Sequence, residues 1–385
     1  MSRLALYAAF VGIALMASAS DPVAGAPDAA PVDAGPTTEA ALGERMNANT
    51  VTVVTGTPGG TYFRVGAELA FVLDDGDRLR ILPRLGKGAG ENAYDIRFLK
   101  GVDLGFVRTD TLDQLRQDKR LKNIEQHIHY IAKLFNDEMH IIAPKSVRTI
   151  SDLSGKRISF DVKGSGTDYS GRAMFRELGV AVEGINVDQP SALEMLRNGE
   201  IEAVVSVAAK PVAFIASFVP GERFHFVAAP YPDTMNEAYV PATLTRTDYP
   251  KFVGGEAVET VAVGTVLGVY NSPKGSPRYE KLVRFVDAFF GKFDKFLAPP
   301  RHPKWREVNL AASVKGWRRF RPAQEWLDRH RELDAVAQPD LDRFFQSQPQ
   351  RPAGKDEIYQ AYLKWRQART PPRSARRRRA RRPAA

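Results

Sequence analysis

Two glycine-rich segments stand where a backbone would have to approach a small ligand. Gly56-Thr57-Pro58-Gly59-Gly60-Thr61-Tyr62 follows the β-branched run Val51 to Thr55, and Gly164-Ser165-Gly166-Thr167 follows Arg157 to Phe160. Helical spacing of apolar residues comes next in both, at Phe63, Ala67, Ala70 and Phe71 and at Ala173, Met174, Phe175 and Leu178. Each therefore reads as strand, glycine turn, helix. Glycine lets a ligand come close to the backbone, and the unpaired N–H groups at a positive helix end favour an anion. The spacings G-x-x-x-x-G-K-[ST] and G-x-G-x-x-G are both missing, which argues against a phosphate or dinucleotide loop. A plain turn with an N-cap is the bland alternative.

Two cations follow strands in matching places, Arg108 in the first half and Lys210 in the second. Arginine grips a carboxylate with two parallel bonds and lysine acts as a point charge, although either can also be a solvated residue at a strand end. Thr109 and Asp110 extend the first candidate site. Tyr62 and Tyr239 are candidates to stack on or hydrogen-bond a ligand, or to be core. Gly59, Gly60, Thr61, Ser165, Gly166 and Thr167 complete the expected binding set.

Catalytic and metal-binding patterns do not emerge. The six histidines form no H-E-x-x-H pair, there is no G-x-S-x-G elbow, and His127 and His129 read as structural. Asp74 and Asp75 read as solvated. The 385 residues contain no cysteine, which excludes disulfides, thiolate catalysis and Cys-type metal sites. Neither a catalytic residue, a metal nor a cofactor is expected.

The elements that must position these groups alternate strand and helix. Leu79 to Leu85, Val102 to Val107 and Ala203 to Val207 read as further strands, and Asn92 to Leu99 as a helix. Ile128 to Phe135 and Met139 to Ala143 read as two extended segments leading out of a first lobe. Thr149 to Asp152 forms a capping box before a one-turn helix, Ser165 and Asp168 form another, and Ser191 with Glu194 opens a helix that closes near Gly199. Phe224 to Ala228 and Val261 to Tyr270 are further strands, the latter crossing back. Leu282, Phe285, Val286, Phe289 and Phe290 have helical spacing. The result is a doubly wound α/β architecture in two lobes, joined by two crossings that form a hinge.

Met1 to Arg3, the apolar run Leu4 to Met16 and Ala17-Ser18-Ala19 make an expected secretory signal peptide at 1–19; an uncleaved anchor is the alternative. Residues 20–50 read as a disordered leader. Lobe one is expected at 51–145, lobe two at 146–232, and the return to lobe one at 233–333. A helical extension follows at 334–370, with an amphipathic helix over Asp356 to Arg369, and a disordered arginine-rich tail at 371–385. Seven arginines lie between 373 and 382; without them the net charge of +10 falls to +3. Such a tail suits an anionic membrane surface or simple solubilisation, whereas nucleic-acid contact sits badly with export.

The segments GTPGGTYF (56–63), ISDLSGKRISF (150–160), GSGTDYSGR (164–172), YVPATL (239–244), LVRFVDAFFGKFDKF (282–296) and VKGW (314–317) resemble the TAXI family, the extracytoplasmic solute receptors of TRAP transporters. That resemblance implies a two-lobed periplasmic-binding-protein type II fold, periplasmic localisation and a TRAP membrane subunit as partner. It also implies a small organic anion such as glutamate, 2-oxoglutarate or a related carboxylate as ligand. Gly60, Thr61, Tyr62, Ser165, Gly166 and Thr167 match the family's binding loops. The chain departs at Arg108-Thr109-Asp110, where many members have Gln and two polar residues, and at Thr245 to Tyr249. An orphan periplasmic sensor or accessory protein without transport is the second reading. An enzyme on the same scaffold is the third; it would need Ser165 or a threonine as nucleophile, with no assigned base.

Overall fold

Thr50–Val54 (β1) has Val51, Val53 and Val54 fully buried, as a strand covered on both faces requires. In the computed structural model, which describes residues 38–330 apart from 77, 119, 120 and 122, this strand belongs to the first of two lobes. The expected signal peptide at 1–19, the leader before residue 38, the extension at 334–370 and the arginine tail lie outside the described residues. The described residues from Arg45 onward form one compact unit. The leader expected to be disordered to residue 50 instead contains α1 (Glu39–Ala48), with Glu39 in its first turn and Arg45 in its last, the arrangement that complements the helix dipole.

The remaining helices are α2 (Thr61–Leu73), α3 (Ala89–Phe98), α4 (Thr111–Gln117), α5 (Ile124–His127), α6 (Gly166–Glu177), α7 (Gln189–Asn198), α8 (Ala213–Ser217) and α9 (Pro277–Gly291). The strands are β2 (Arg80–Arg84), β3 (Leu104–Arg108), β4 (Ile128–Pro144), β5 (Arg157–Ser159), β6 (Glu183–Ile185), β7 (Ala203–Ala208), β8 (Phe224–Phe226), β9 (Tyr239–Leu244) and β10 (Val258–Tyr270). Among the described residues these strands form one mixed sheet in the order β2-β1-β3-β10-β4-β7-β5-β6, with β8 on β4 and β9 on β10. β1 runs parallel to β2 and β3, and β5 runs parallel to β6 and β7. Each parallel set is thus a βαβ layer with helical crossovers.

Two strands serve both lobes. Leu134 and Phe135 of β4 pack with Phe106, Leu69, Leu282 and Phe289 in the first lobe. Met139 and Ile141 of the same strand pack with Phe160, Met174 and Val205 in the second. β10 does likewise, with Leu267 and Val269 in one core and Val261 and Val263 in the other. Its pairing with β4 shifts register around Val266, between Gly264 and Gly268. These are the two crossings expected of a hinge.

Three boundaries differ from expectation. Ile128 to Phe135 and Met139 to Ala143 are one continuous strand, because Asn136, Asp137 and Glu138 pair with Gly264, Val263 and Ala262 of β10. Tyr239–Leu244, expected with the return to the first lobe, packs in the second, because β9 turns back onto β10 before that strand crosses. The α7 cap is Asp188, whose side chain accepts the Ser191 N–H at 3.1 Å, so the helix opens earlier than Ser191. The capping box of Thr149 and Asp152 forms as expected.

Candidate functional site

Every residue of β3 is buried, so its carboxyl end delivers Arg108 into the interior, 3 % exposed. Its Nε donates to Asp137 Oδ2 at 2.7 Å, its Nη2 donates to the carbonyl of Val207 across the interlobe gap, and its Nη1 has no partner among the described residues. Asp137 comes from the crossing part of β4, where the same Oδ2 accepts the Tyr62 hydroxyl and, at 3.1 Å, that of Thr265. Burial, then Asp137, raises the Tyr62 pKa well above the ordinary phenol value. Burial opposes the Arg108 charge, yet Tyr62 and Asp137 beside it hold its pKa above the usual arginine value. The guanidinium is fixed, charged and one N–H arm short of saturation.

Residues from four helix amino termini line the same pocket as Arg108. Gly60 and Gly88 cap α2 and α3 without side-chain hydrogen bonds, which leaves first-turn amides for a ligand. Pro58 followed by Gly59 at φ 78° makes the turn that aims the first of them. Ser165 caps α6 through the Asp168 N–H at 3.1 Å, outside which lie the amides of Gly166 and Thr167. The fourth is α7, whose first residue is Gln189. A Cβ on Gly166 would lie 2.6 Å from Arg108 Nη1, so only glycine fits beneath the guanidinium.

The lobes meet over this site. Thr61 Oγ1 donates to the Ala209 carbonyl at 2.8 Å from one lobe to the other, and within the second lobe Thr167 Oγ1 accepts the Val207 N–H at 3.0 Å. Between them is a narrow cavity of about 50 Å³ lined in part by Gly60, Thr61, Tyr62, Arg108, Gly166 and Thr167. Six of the expected site residues therefore share one crevice, with contributions from both lobes.

The other six do not line it. Lys210 turns away because Asp248, 2.8 Å from its Nζ, and the Thr243 carbonyl at 2.6 Å hold it in the second lobe. Tyr239 and Asp110 bind each other, hydroxyl to Oδ2 at 3.1 Å, instead of a ligand. Thr109 is tied through its N–H to Gly264 O at 2.8 Å and through its carbonyl to Trp317 Nε1 at 3.2 Å. It lines a separate groove with Lys133, Asn136 and Trp317. Ser165 and Gly59 act as cap and turn.

Sequence reasoning missed Lys87, Gly88, Asp161, Gln189, Ser206 and Phe214, all at the cavity wall. Gly86-Lys87-Gly88-Ala89-Gly90 is a third glycine segment between strand and helix, the same signal as the other two. Asp161 follows β5 as Arg108 ends β3, and it adopts a left-handed φ of 66°, which aspartate tolerates better than most residues. Burial pushes its carboxyl up to about 6, against the Val162 N–H and the Ser165 hydroxyl. Gln189 carries no sequence signal beyond its place after the Asp188 cap.

Residues 53–280, which include both crossing strands and most of the cavity wall, match the model of the NMT1-like family. The chain belongs to the NMT1-like family. This NMT1-like chain also resembles several solved structures. One, described as a periplasmic transporter, is 13% identical over 76% of this chain and 96% of that one, with a TM-score of 0.45. An ancestral arginine-binding protein bound to arginine is 16% identical over 65% and 96%, with a TM-score of 0.38. The GluR0 ligand-binding core from Nostoc punctiforme in complex with L-glutamate is 18% identical over 64% and 99%, with a TM-score of 0.34. Among the described residues, no helix is long and apolar enough to cross a membrane.

Proposed function

We propose that this NMT1-like chain is an extracytoplasmic solute receptor that closes its two lobes on a small organic anion. The observation that carries the reading is the Nη1 of buried Arg108, without a partner among the described residues, at a cavity lined by residues from helix amino termini. A carboxylate there would accept from Nη1 and from first-turn amides of both lobes, so binding and closure are the same event. Asp137 orients the guanidinium but leaves that arm to the ligand, and Thr61 braces the opposing jaw through the Ala209 carbonyl.

The apolar start of the chain supports export to the periplasm, and the matched segments support the TAXI type, which delivers its solute to a TRAP membrane subunit. Glutamate, 2-oxoglutarate and related carboxylates are the first compounds to titrate into the purified protein, by calorimetry or thermal shift. Micromolar or tighter binding of one of them is expected. Silence across the set removes the receptor reading. Loss of cellular uptake of the bound solute when the chain is deleted tests the transport role, and unchanged uptake refutes it.

A further inference from the structure

Behind the cavity, on the other face of the hinge strands, lies a second opening. Arg108, Asp137 and Thr265 meet on one face of the sheet, and their chain neighbours Thr109, Asn136 and Gly264 line a groove of about 600 Å³ on the other, as the pleat requires. In a regular strand Lys133 would fall on the Asp137 face. The register shift sends it across, because from Gly264 to Val266 β10 advances two residues while β4 passes three, from Asn136 to Lys133. The bulge thus brings Lys133 to the face of Asn136, whose Oδ1 accepts from its Nζ at 3.1 Å. Gly264 keeps the floor open, since a Cβ there would lie 3.1 Å from Thr109 Cγ2 and 3.6 Å from Lys133 Cε.

The cations of this groove differ in what they already hold. Arg116 is taken by Glu125 and the Gly316 carbonyl, and Lys315 by Glu237. Lys133 makes no ion pair among the described residues, and Glu307, which acts on it electrostatically, is engaged by Lys304 at 2.8 Å. Its ammonium has three donors for the one acceptor on Asn136. Burial lowers its pKa, with Glu307 opposing the shift and Lys304 adding to it. Half-buried apolar flanks come from both lobes, Val314 beside the first-lobe core and Ala238 between Met235 and Tyr239 of the second. We propose that this groove is a second ligand site, for an oxyanion on an apolar body, its carboxylate or phosphate at Lys133 Nζ and its body between Val314 and Ala238. The site shares no lining residue with the cavity and goes beyond the receptor reading.

Benzoate and phenyl phosphate, each titrated by calorimetry into the full-length protein, are the probes, with benzamide as the neutral counterpart of benzoate. At least one of the two anions is expected to bind with a millimolar or lower Kd, benzamide is not, and the tighter anion tells carboxylate from phosphate. Lys133→Met is expected to weaken the bound anion about tenfold or more, the loss that one charged hydrogen-bond partner commands. Ala238→Trp fills the groove from the second lobe, keeps the lysine and is expected to show a similar loss; it serves if the first variant does not fold. Silence from both anions, benzamide binding as tightly as benzoate, or an affinity indifferent to both variants overturns the proposal. Each of these outcomes leaves the receptor reading standing, because the cavity keeps its own residues.

Discussion

Arg108 and Asp137 form a buried ion pair, Nε to Oδ2 at 2.7 Å, with their side chains 3% and 0% exposed. β3 supplies the cation and the crossing part of β4 the anion, so the pair ties the first lobe to its hinge. One guanidinium therefore has two tasks, holding Asp137 and presenting Nη1 to the cavity.

Those tasks separate by substitution. Arg108→Lys keeps a positive charge near Asp137 but loses the fork, so ligand affinity should fall at least tenfold, by about 1.4 kcal/mol or more, with a small change in Tm. Arg108→Ala strands a buried carboxylate and should cost about 3 to 5 kcal/mol of stability as well. Calorimetry and thermal melts on both variants check this. An alanine variant with wild-type Tm would show that Asp137 does not depend on its partner.

Gly90 tests closure. A Cβ there would lie 2.6 Å from the ring of Tyr169, where α3 of one lobe meets α6 of the other. Gly90 is the second residue of α3, where alanine is tolerated, so the ligand-free Tm should change little. Affinity should nevertheless fall about tenfold, because the jaws no longer meet. Adding Tyr169→Ala should restore it, and a double variant as weak as the single one would rule out the steric account.

His140 predicts acid sensitivity. Its Nδ1–H donates to the Ser206 carbonyl at 3.2 Å and its Nε2 accepts the Tyr249 hydroxyl at 2.8 Å, an arrangement that holds a neutral ring. Burial lowers its pKa to about 4. The unfolded chain, with an ordinary histidine, takes up a proton more readily than the folded one. The stability this site contributes is whole above about pH 6.5 and is lost as pH falls toward 4, by at most about 1.4 kcal/mol per pH unit. Urea unfolding across that window should show the slope, and His140→Leu should flatten it.

Lys304 anchors the chain beyond α9 to the hinge. Its Nζ donates to Glu138 Oε1 at 2.5 Å, while the Lys210 N–H reaches Oε2 at 3.0 Å. Lys304→Met leaves Glu138 buried without its counter-charge and should cost about 3 to 5 kcal/mol in denaturant melts. Glu138→Gln in the same background should recover much of the loss. If it recovers nothing, the cost lies in packing around Lys304 and not in the carboxylate.

Features that depend on near neighbours were legible in the sequence. The glycine turns, the Thr149–Asp152 box, the Ser165 cap and the alternation of strand and helix are set by backbone sterics and hydrogen bonds within a few residues. They bring Thr61, Gly166 and Thr167 to strand ends, and strand ends are where α/β sheets bind ligands.

Which charges stay available at those ends is a different matter. Arg108 and Lys210 look alike in sequence, yet one meets Asp137, 29 positions away, and keeps an arm free, and the other is taken by Asp248, 38 positions away. Tyr239 is taken by Asp110 across 129 positions. A side chain faces the cavity only if no group from a distant segment reaches it first. The sequence by itself determined the turns and the helix starts; the long-range packing of β3, β4, β7 and β10 decided which polar groups were left unpaired in the buried crevice.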